Sequence, residues 1–428
     1  MSRDFDALVI GAGVAGSTAA ILLATAGWSV ALVEKRTFPR RKVCGECIAA
    51  PNLALLDGLG VGDEFRALAG PPLVRVGLYA GEDELYADLP RLRGGAPWGR
   101  ALGRERLDTL LLARAAELGA TVFQPWSVVD VERRDGAHVC TLATNRAGES
   151  ATVAATVLVD AHGSWEPSPF AGMRARAEPG GADLFAFKAN FVRADLTPGL
   201  LPVLAFDGGY GGMVLGDGGQ LTIACCVRRD ALRDTRAGAP GDSAGTAVEA
   251  LLRRSCAGVR RAVDGAERTG TWLSVGPIRP GRRALWSERG GFVVGNAAGE
   301  AHPILGEGIS MAMQGAFLLC ARLEQQRDAL LSGESQERTA RLYERDWRRA
   351  FRARMRWAAL FAALAMRPAA RALLPALKAW PGLLTAGAVV GGKARAAPVT
   401  SLTARASPGG RCTRGSRAKV ASAPTGHR

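Results

Sequence analysis

Gly11, Gly13 and Gly16 limit what this chain can fold into more than any other residues in it. They form G-x-G-x-x-G in the stretch DALVIGAGVAGSTAAILLATAGWSVALVE, Asp6 to Glu34. Ala7 to Ile10 is a short apolar run of the kind that makes a buried strand. Val14 to Ala26 is small, aliphatic and helix-compatible, Gly27 ends it, and Ser29 to Val33 reads as a second strand closed by Glu34. A strand, glycine turn, helix, strand and acid in that order is the context that gives the motif meaning. Gly11 makes the tight turn, Gly13 lets backbone approach a pyrophosphate, and Gly16 lets helix pack on strand. The helix N-terminus then presents unpaired N–H groups and a positive dipole end to the phosphates. Glu34 is placed to accept from ribose hydroxyls and would repel a 2′-phosphate. The expected ligand is therefore the adenosine half of FAD or NAD, not NADP.

The net charge of +15 invites a nucleic-acid reading until it is located. No acidic residue follows Asp346, and the 16 Lys and Arg between Arg348 and Arg428 exceed the whole net charge, leaving −1 on the first 346 residues. The catalytic body is near neutral, so no nucleic-acid partner is expected, and the C-terminus is where membranes or acidic partners would act. The eight cysteines are irregularly spaced in a chain of 428 residues and do not form a disulfide framework. With no apolar leader after Met1, a reducing, cytoplasmic setting is expected, with peripheral membrane contact through the basic region left open.

Further along, 73–90 reads as two strands about a Gly-Glu-Asp turn, and Arg104 to Leu118 as a helix ended by Gly119. Thr121 to Phe123 is a strand of the nucleotide-binding sheet. Segments 128–133, 138–143 and 152–159 read as a meander with Asp135-Gly136 at its first hairpin. From Pro167 to Gly276 glycine-rich strands and one helix, Ala247 to Leu252, suggest a separate domain. Phe292 to Val294 resumes a buried strand, and Ile309 to Leu323 is a helix. Arg338 to Met366 is a basic helix grading into apolar residues, too short to span a bilayer. It either lies in a membrane interface or packs over a substrate entrance. Beyond Ala396 little can be buried, and disorder is expected.

Three separated stretches read together carry a resemblance: Gly11 to Gly16 with Glu34; Lys42-Val43-Cys44-Gly45-Glu46; and Gly295-Asn296-Ala297-Ala298-Gly299 through Pro303-Ile304-Leu305-Gly306-Glu307-Gly308-Ile309. With Arg104 to Asp108 at the head of a helix, they resemble the FAD-dependent geranylgeranyl reductase family, within the flavoproteins related to p-hydroxybenzoate hydroxylase. The resemblance runs from about residue 4 to about residue 325. It implies an α/β fold: a Rossmann-type FAD-binding domain (1–72, 100–166 and 277–325), a β-rich substrate domain (73–99 and 167–276), a helical C-terminal region (326–395) and a basic tail (396–428). It implies FAD contacts at Gly11, Ala12, Gly13, Val14, Ala15, Gly16, Glu34, Lys35, Cys44, Gly45, Arg104, Val128, Asn296, Gly306, Gly308 and Ile309. Candidate catalytic groups are His302, Tyr210 and Glu46, and no metal is expected.

Three departures from the family pattern bear on the reaction. Asn296 replaces the usual Asp that binds the ribityl chain, keeping hydrogen bonding without charge. His162, in Val159-Asp160-Ala161-His162-Gly163, stands where relatives carry an Asp linked to pyrophosphate binding, so electrons would come from NAD(P)H or from a separate reductase. Where prenyl reductases tend to carry Tyr-x-Trp-x-Phe-Pro, this chain has Tyr210-Gly211-Gly212-Met213-Val214-Leu215. The altered wall favours hydroxylation of an apolar aromatic, polyketide or isoprenoid substrate, with alkene reduction as the alternative. Halogenases carry Trp-x-Trp-x-Ile-Pro near there and this sequence does not, although Lys42 can be likened to a halogenase lysine. An electron-transfer flavoprotein at a membrane is a further alternative. Cys44-x-x-Cys47 reads as loop cysteines beside the flavin, and Cys225 and Cys226 as core filler. His302 either donates to substrate or only shapes its loop.

Overall fold

A computed structural model describes residues 4–91, 98–146, 148–164, 180–238, 241–334, 336–367 and 372–392. The expected disordered tail lies outside the described residues. The chain opens with β1 (Phe5–Ile10), α1 (Val14–Thr25) and β2 (Val30–Val33), then crosses to a hairpin, β3 (Arg75–Ala80) and β4 (Asp83–Asp88). It returns through α2 (Arg104–Glu117) to β5 (Thr121–Phe123), β6 (Ser127–Arg134), β7 (Ala137–Ala143) and β8 (Ser150–Asp160). The second excursion is β9 (Leu184–Val192), β10 (Leu200–Phe206), β11 (Gly209–Leu215) and β12 (Leu221–Arg228), followed by α3 (Arg229–Ala237), α4 (Ala244–Ser255), α5 (Ala257–Ala262) and β13 (Leu273–Ile278). Then come β14 (Phe292–Val293), α6 (Gly308–Gln325), α7 (Glu337–Ala365), α8 (Leu374–Ala379) and α9 (Gly382–Val390).

Two sheets result. The first has the order β5-β2-β1-β8-β7-β6, with β14 added beside β8. β8 serves both parts: residues 150–155 pair antiparallel with β7, while the chain to Asp160 runs parallel between β1 and β14. The meander read from the sequence is thus an extension of the nucleotide-binding sheet. Asp135 and Gly136, both with positive φ, turn its first hairpin. The second sheet has the order β9-β12-β11-β10-β3-β4, and β13 also pairs with β9. Its strand β13 continues to Ile278, past the expected change at residue 276.

The segment after Gly180 holds three helices where the sequence suggested one. α3 and α5 are short and arginine-rich, so neither shows a long apolar period. α4, with Val248, Leu251 and Leu252 buried, was the legible one.

A large apolar core joins the first sheet to α1, α2, α6 and the front of α7. Gly16 sits where a Cβ would lie 1.8 Å from the Gly11 carbonyl oxygen, so helix and turn touch backbone to backbone. Gly11 has φ +93° and a Cβ there would meet the Ala161 oxygen at 2.7 Å. Both glycines are therefore fixed by the fold itself.

α7 is held down by a buried polar chain. Arg354 donates to Glu307 and Gln314 at 3.4 and 3.2 Å, Gln314 donates to Asn52 at 2.7 Å, and Asn52 donates to Ser310 at 2.8 Å. Trp347 closes over Gly299, where a Cβ would stand 2.7 Å from the indole.

Candidate active site

One large cavity of about 530 Å³ lies between the two sheets and the C-terminal helices. Its polar end is built by the motifs. Gly13 caps α1 with no side-chain partner, and the first turn holds no acid, so the helix N-terminus is open. A Cβ on Gly13 would meet nothing nearer than the guanidinium nitrogens of Arg104 and Arg40, at 3.8 and 3.9 Å. Space at the turn with two cations converging on it is what a pyrophosphate requires. α6 likewise begins without a side-chain cap after Gly306, which has φ +61°. Val14, Ala15, Cys44, Gly45, Asn296, Gly306, Gly308 and Ile309 all line this cavity. The residues present fit FAD.

Other expected contacts are already engaged within the protein. Glu34 is buried; its Oε2 accepts from the Ala12 amide and its Oε1 from the Arg36 amide, each at 2.9 Å. Arg104 makes a bidentate pair with Asp108, both bonds 2.8 Å, and also bonds Cys44. Asn296 donates to Glu300 at 3.3 Å. Lys35 follows Glu34, half-buried, with its pKa lowered chiefly by burial. Val128 is placed otherwise than expected: its side chain joins the core of Leu8, Ile10 and Val33, so only backbone near it faces the Glu34 strand, where the Trp126 amide donates to the Glu34 carbonyl. His162 Nδ1 is hydrogen-bonded to the Asp160 carboxylate.

Glu46 departs most from its expected role as an acid or base. Its carboxylate is paired with Lys188 of β9, accepts from Thr222 Oγ1 at 2.7 Å, and accepts from the Arg104 amide at 3.0 Å. Glu46 and Lys188 side chains are only 4% and 2% exposed. Glu46 also holds φ +59°, which costs a non-glycine residue about 1–3 kcal/mol and persists only when the surroundings fix it. Glu46 thus anchors the 42–46 loop to the second sheet. Lys188 was missed in the sequence; its signal was a lone lysine in the apolar run LFAFKANFV, since buried lysines are almost always paired. Arg40 was missed as well.

Lys42 also faces this end. Its pKa falls to about 8, first through desolvation, then through Arg104 and Arg40. Across the cavity, the Tyr210 hydroxyl lies 3.4 Å from His302 Nδ1. Burial raises the Tyr210 pKa well above normal and lowers that of His302, so both are neutral near pH 7. Cys225 and Cys226 are buried on opposite faces of β12, with burial holding both thiols protonated. Among the described residues no cluster of three or more His, Cys, Asp or Glu is placed to hold a metal.

The apolar end has three sources. Val76 and Leu78 come from β3, Leu201 and Val203 from β10, and the far wall from α7–α9 through Phe361, Leu374, Leu377, Leu384 and Ala388. No motif announced that wall.

The pattern of the FAD binding domain family matches residues 4–358. Among curated proteins, the chain is 34% identical over 160 residues to tryptophan 2-halogenase of Chondromyces crocatus, covering 36% of this chain and 30% of that one. It is 31% identical over 137 residues to menaquinone reductase of Mycobacterium tuberculosis, covering 32% and 33%. The chain thus matches only about a third of the length of these relatives. In fold it is similar to the flavin-dependent brominase Bmp2, with TM-score 0.71, 21% identity and 91% and 93% of the two chains covered. It is also similar to a geranylgeranyl bacteriochlorophyll reductase-like protein from Thermoplasma acidophilum, with TM-score 0.67, 17% identity and 94% and 95% covered. The chain belongs to the FAD binding domain family, within the flavoproteins related to p-hydroxybenzoate hydroxylase.

Proposed function

We propose that this FAD-dependent oxidoreductase reduces a carbon–carbon double bond in an extended, isoprenoid-type apolar substrate. The observation that carries this reading is the far wall of the cavity. The sequence favoured hydroxylation because Gly212, Val214 and Leu215 replace the bulky residues of prenyl reductases. In the fold, Phe361, Leu374, Leu377 and Leu384 bring apolar bulk to the same cavity from α7–α9, so the ground for that preference falls away. Similarity to a menaquinone reductase agrees with this reading.

FAD, when bound and reduced, would supply the hydride. The open N-termini of α1 and α6, with Arg40 and Arg104, hold its negative charge. Tyr210, kept protonated by burial, gives a proton to the carbon that does not receive the hydride, so the alkene gains H⁻ and H⁺. His302, 3.4 Å from the Tyr210 hydroxyl, relays a solvent proton to the tyrosinate, taking it up at one ring nitrogen as it releases one from the other. The α7–α9 wall keeps water from the reacting carbons. Electrons reach the flavin from NAD(P)H or a separate reductase.

Hydroxylation is the second reading, favoured by the Tyr210–His302 pair, which would orient a phenolic head. The halogenase relatives add a halide-dependent reaction as a third outcome. The test uses photoreduced enzyme with geranylgeraniol. Anaerobic gain of H2 in the product, about 100-fold slower in Tyr210→Phe at equal FAD content, supports the proposal. Product formed only with oxygen, carrying a new hydroxyl or a halogen, overturns it.

A further inference from the structure

Among the described residues, the exposed large apolar side chains are nearly all in one place. Trp357, Leu360, Leu364, Leu373, Trp380, Leu383, Val389 and Val390 are 37–67% exposed, and only Val129 lies elsewhere. On α7, Trp357, Leu360 and Leu364 follow at intervals of three and four, an exposed stripe that reaches the cavity mouth at Leu364, while Phe351, Arg354, Ala358 and Ala362 form the inward one. α9 is mostly apolar: Leu384 and Ala388 face the cavity, Leu383 lines its mouth while half-exposed, and Val389 and Val390 are exposed without lining it. These helices are one layer thick between cavity and surroundings. Contiguous exposed apolar surface of this kind marks a contact site.

The charge around the patch identifies its partner. Arg349, Arg352, Arg356 and Arg367 are exposed on the same helix and just after it, and no acidic residue follows Asp346. A second copy docked by a two-fold axis would bring these arginines against their own equivalents, a repulsive arrangement. Tryptophans at the edge of an apolar patch bordered by arginines instead match the layered chemistry of a bilayer surface, with apolar chains within and anionic headgroups at the rim. No helix among the described residues is long and apolar enough to cross a membrane.

We infer that the outer face of residues 357–367 and 372–390 docks on an anionic lipid bilayer, seating α7–α9 in the interface so that the cavity's apolar end opens toward the lipid. This stands whichever reaction the flavin supports. It also refines the expectation drawn from the sequence: the front of α7 packs on the protein, through Tyr343, Trp347 and Phe351, and docking belongs to its back half with α8 and α9.

The test is sedimentation of the full-length, FAD-loaded protein with vesicles of phosphatidylcholine alone or mixed with phosphatidylglycerol. Binding should be strong on the anionic vesicles and weak on the neutral ones. Trp357→Glu/Trp380→Glu, neither residue lining the cavity, should lower bound protein at least tenfold while FAD content and melting temperature hold. Unchanged binding of that variant would assign the attraction to the basic residues after 392 and overturn the proposal. So would failure to bind either vesicle, or a dimer that the double variant breaks, which would make a second copy the occupant.

Discussion

The two ends of the cavity are made in different ways. At the flavin end, a handful of motif residues fix both shape and charge: Gly11 and Gly16 by contacts that leave no room for a Cβ, Gly13 by leaving space, and Arg104 by its place on the first turn of α2. At the apolar end no residue is individually required. The wall is a sum of leucines, alanines and a phenylalanine from β3, β10 and three helices distant in the chain. A site for a constant ligand can be written as a motif, whereas a site for a bulky apolar group needs only area and volume, which many sequences supply.

The largest effect that tests this contrast is Gly13→Asp. Nothing in the protein lies within 3.8 Å of a Cβ there, so the chain should fold, yet the carboxylate would face the pyrophosphate. FAD affinity should fall at least about 100-fold, since each ~1.4 kcal/mol of repulsion is a factor of ten. Equilibrium dialysis measures the loss, and circular dichroism measures the retained fold. A yellow Gly13→Asp protein would sink the claim that this turn is coded for the ligand.

Next comes the joint between the ends. Lys188→Met strands the buried Glu46 carboxylate, and removing one partner of such a pair costs about 3–5 kcal/mol. Glu46→Gln with Lys188→Met should recover most of it. Urea midpoints of the single and double variants decide, and equal destabilisation of both would show that the pair does not hold the 42–46 loop.

These cases show which parts the sequence made legible. The strand–turn–helix of β1 and α1, the α2 helix, the hairpin at Asp135-Gly136 and the loop before α6 each carry a local signal: a period, a positive-φ glycine or a motif. Glu46 was visible as a residue, but its role depends on Lys188, 142 positions away, and no local pattern links the two. Val128 shows the period of a β-strand residue but not which face the core takes, and its side chain joins that core. α3 and α5 escaped because short, arginine-rich helices are defined by what they pack on. For α7 the sequence offers a helix that lies in an interface or packs over a substrate entrance, but which of its residues, with those of α8 and α9, line the cavity depends on packing, and with it goes the ground for choosing between reactions.

At the apolar end single changes should be milder. Leu384→Ala removes part of one wall and costs about 1–2 kcal/mol of substrate contact, raising KM for a prenyl alcohol about fivefold to thirtyfold with kcat and FAD content unchanged. A fall in kcat with KM unchanged would mean that the wall positions the reacting atoms, and that this end is as specified as the other.

The last prediction concerns Lys42, at the flavin end. Its folded pKa is about 8 against 10.5 for an ordinary lysine, because desolvation and the nearby Arg104 and Arg40 disfavour the charged form. Below pH 8 both folded and unfolded chains hold the proton, and the full cost of the buried charge is present. Between pH 8 and 10.5 the unfolded chain still holds a proton that the folded one has released, so this group's contribution to stability rises across that window. Lys42→Met removes the charge at every pH. The flavin-free variant should therefore melt above the parent at pH 7, with the gap narrowing as pH rises past 8. With FAD bound, the ligand's negative charge compensates Lys42, and the advantage of the variant should shrink or reverse even at pH 7. Melting curves at a series of pH values, with and without FAD, read both trends. A gap that is constant with pH would show that Lys42 keeps an ordinary pKa, and that the cations at the flavin end do not act on one another.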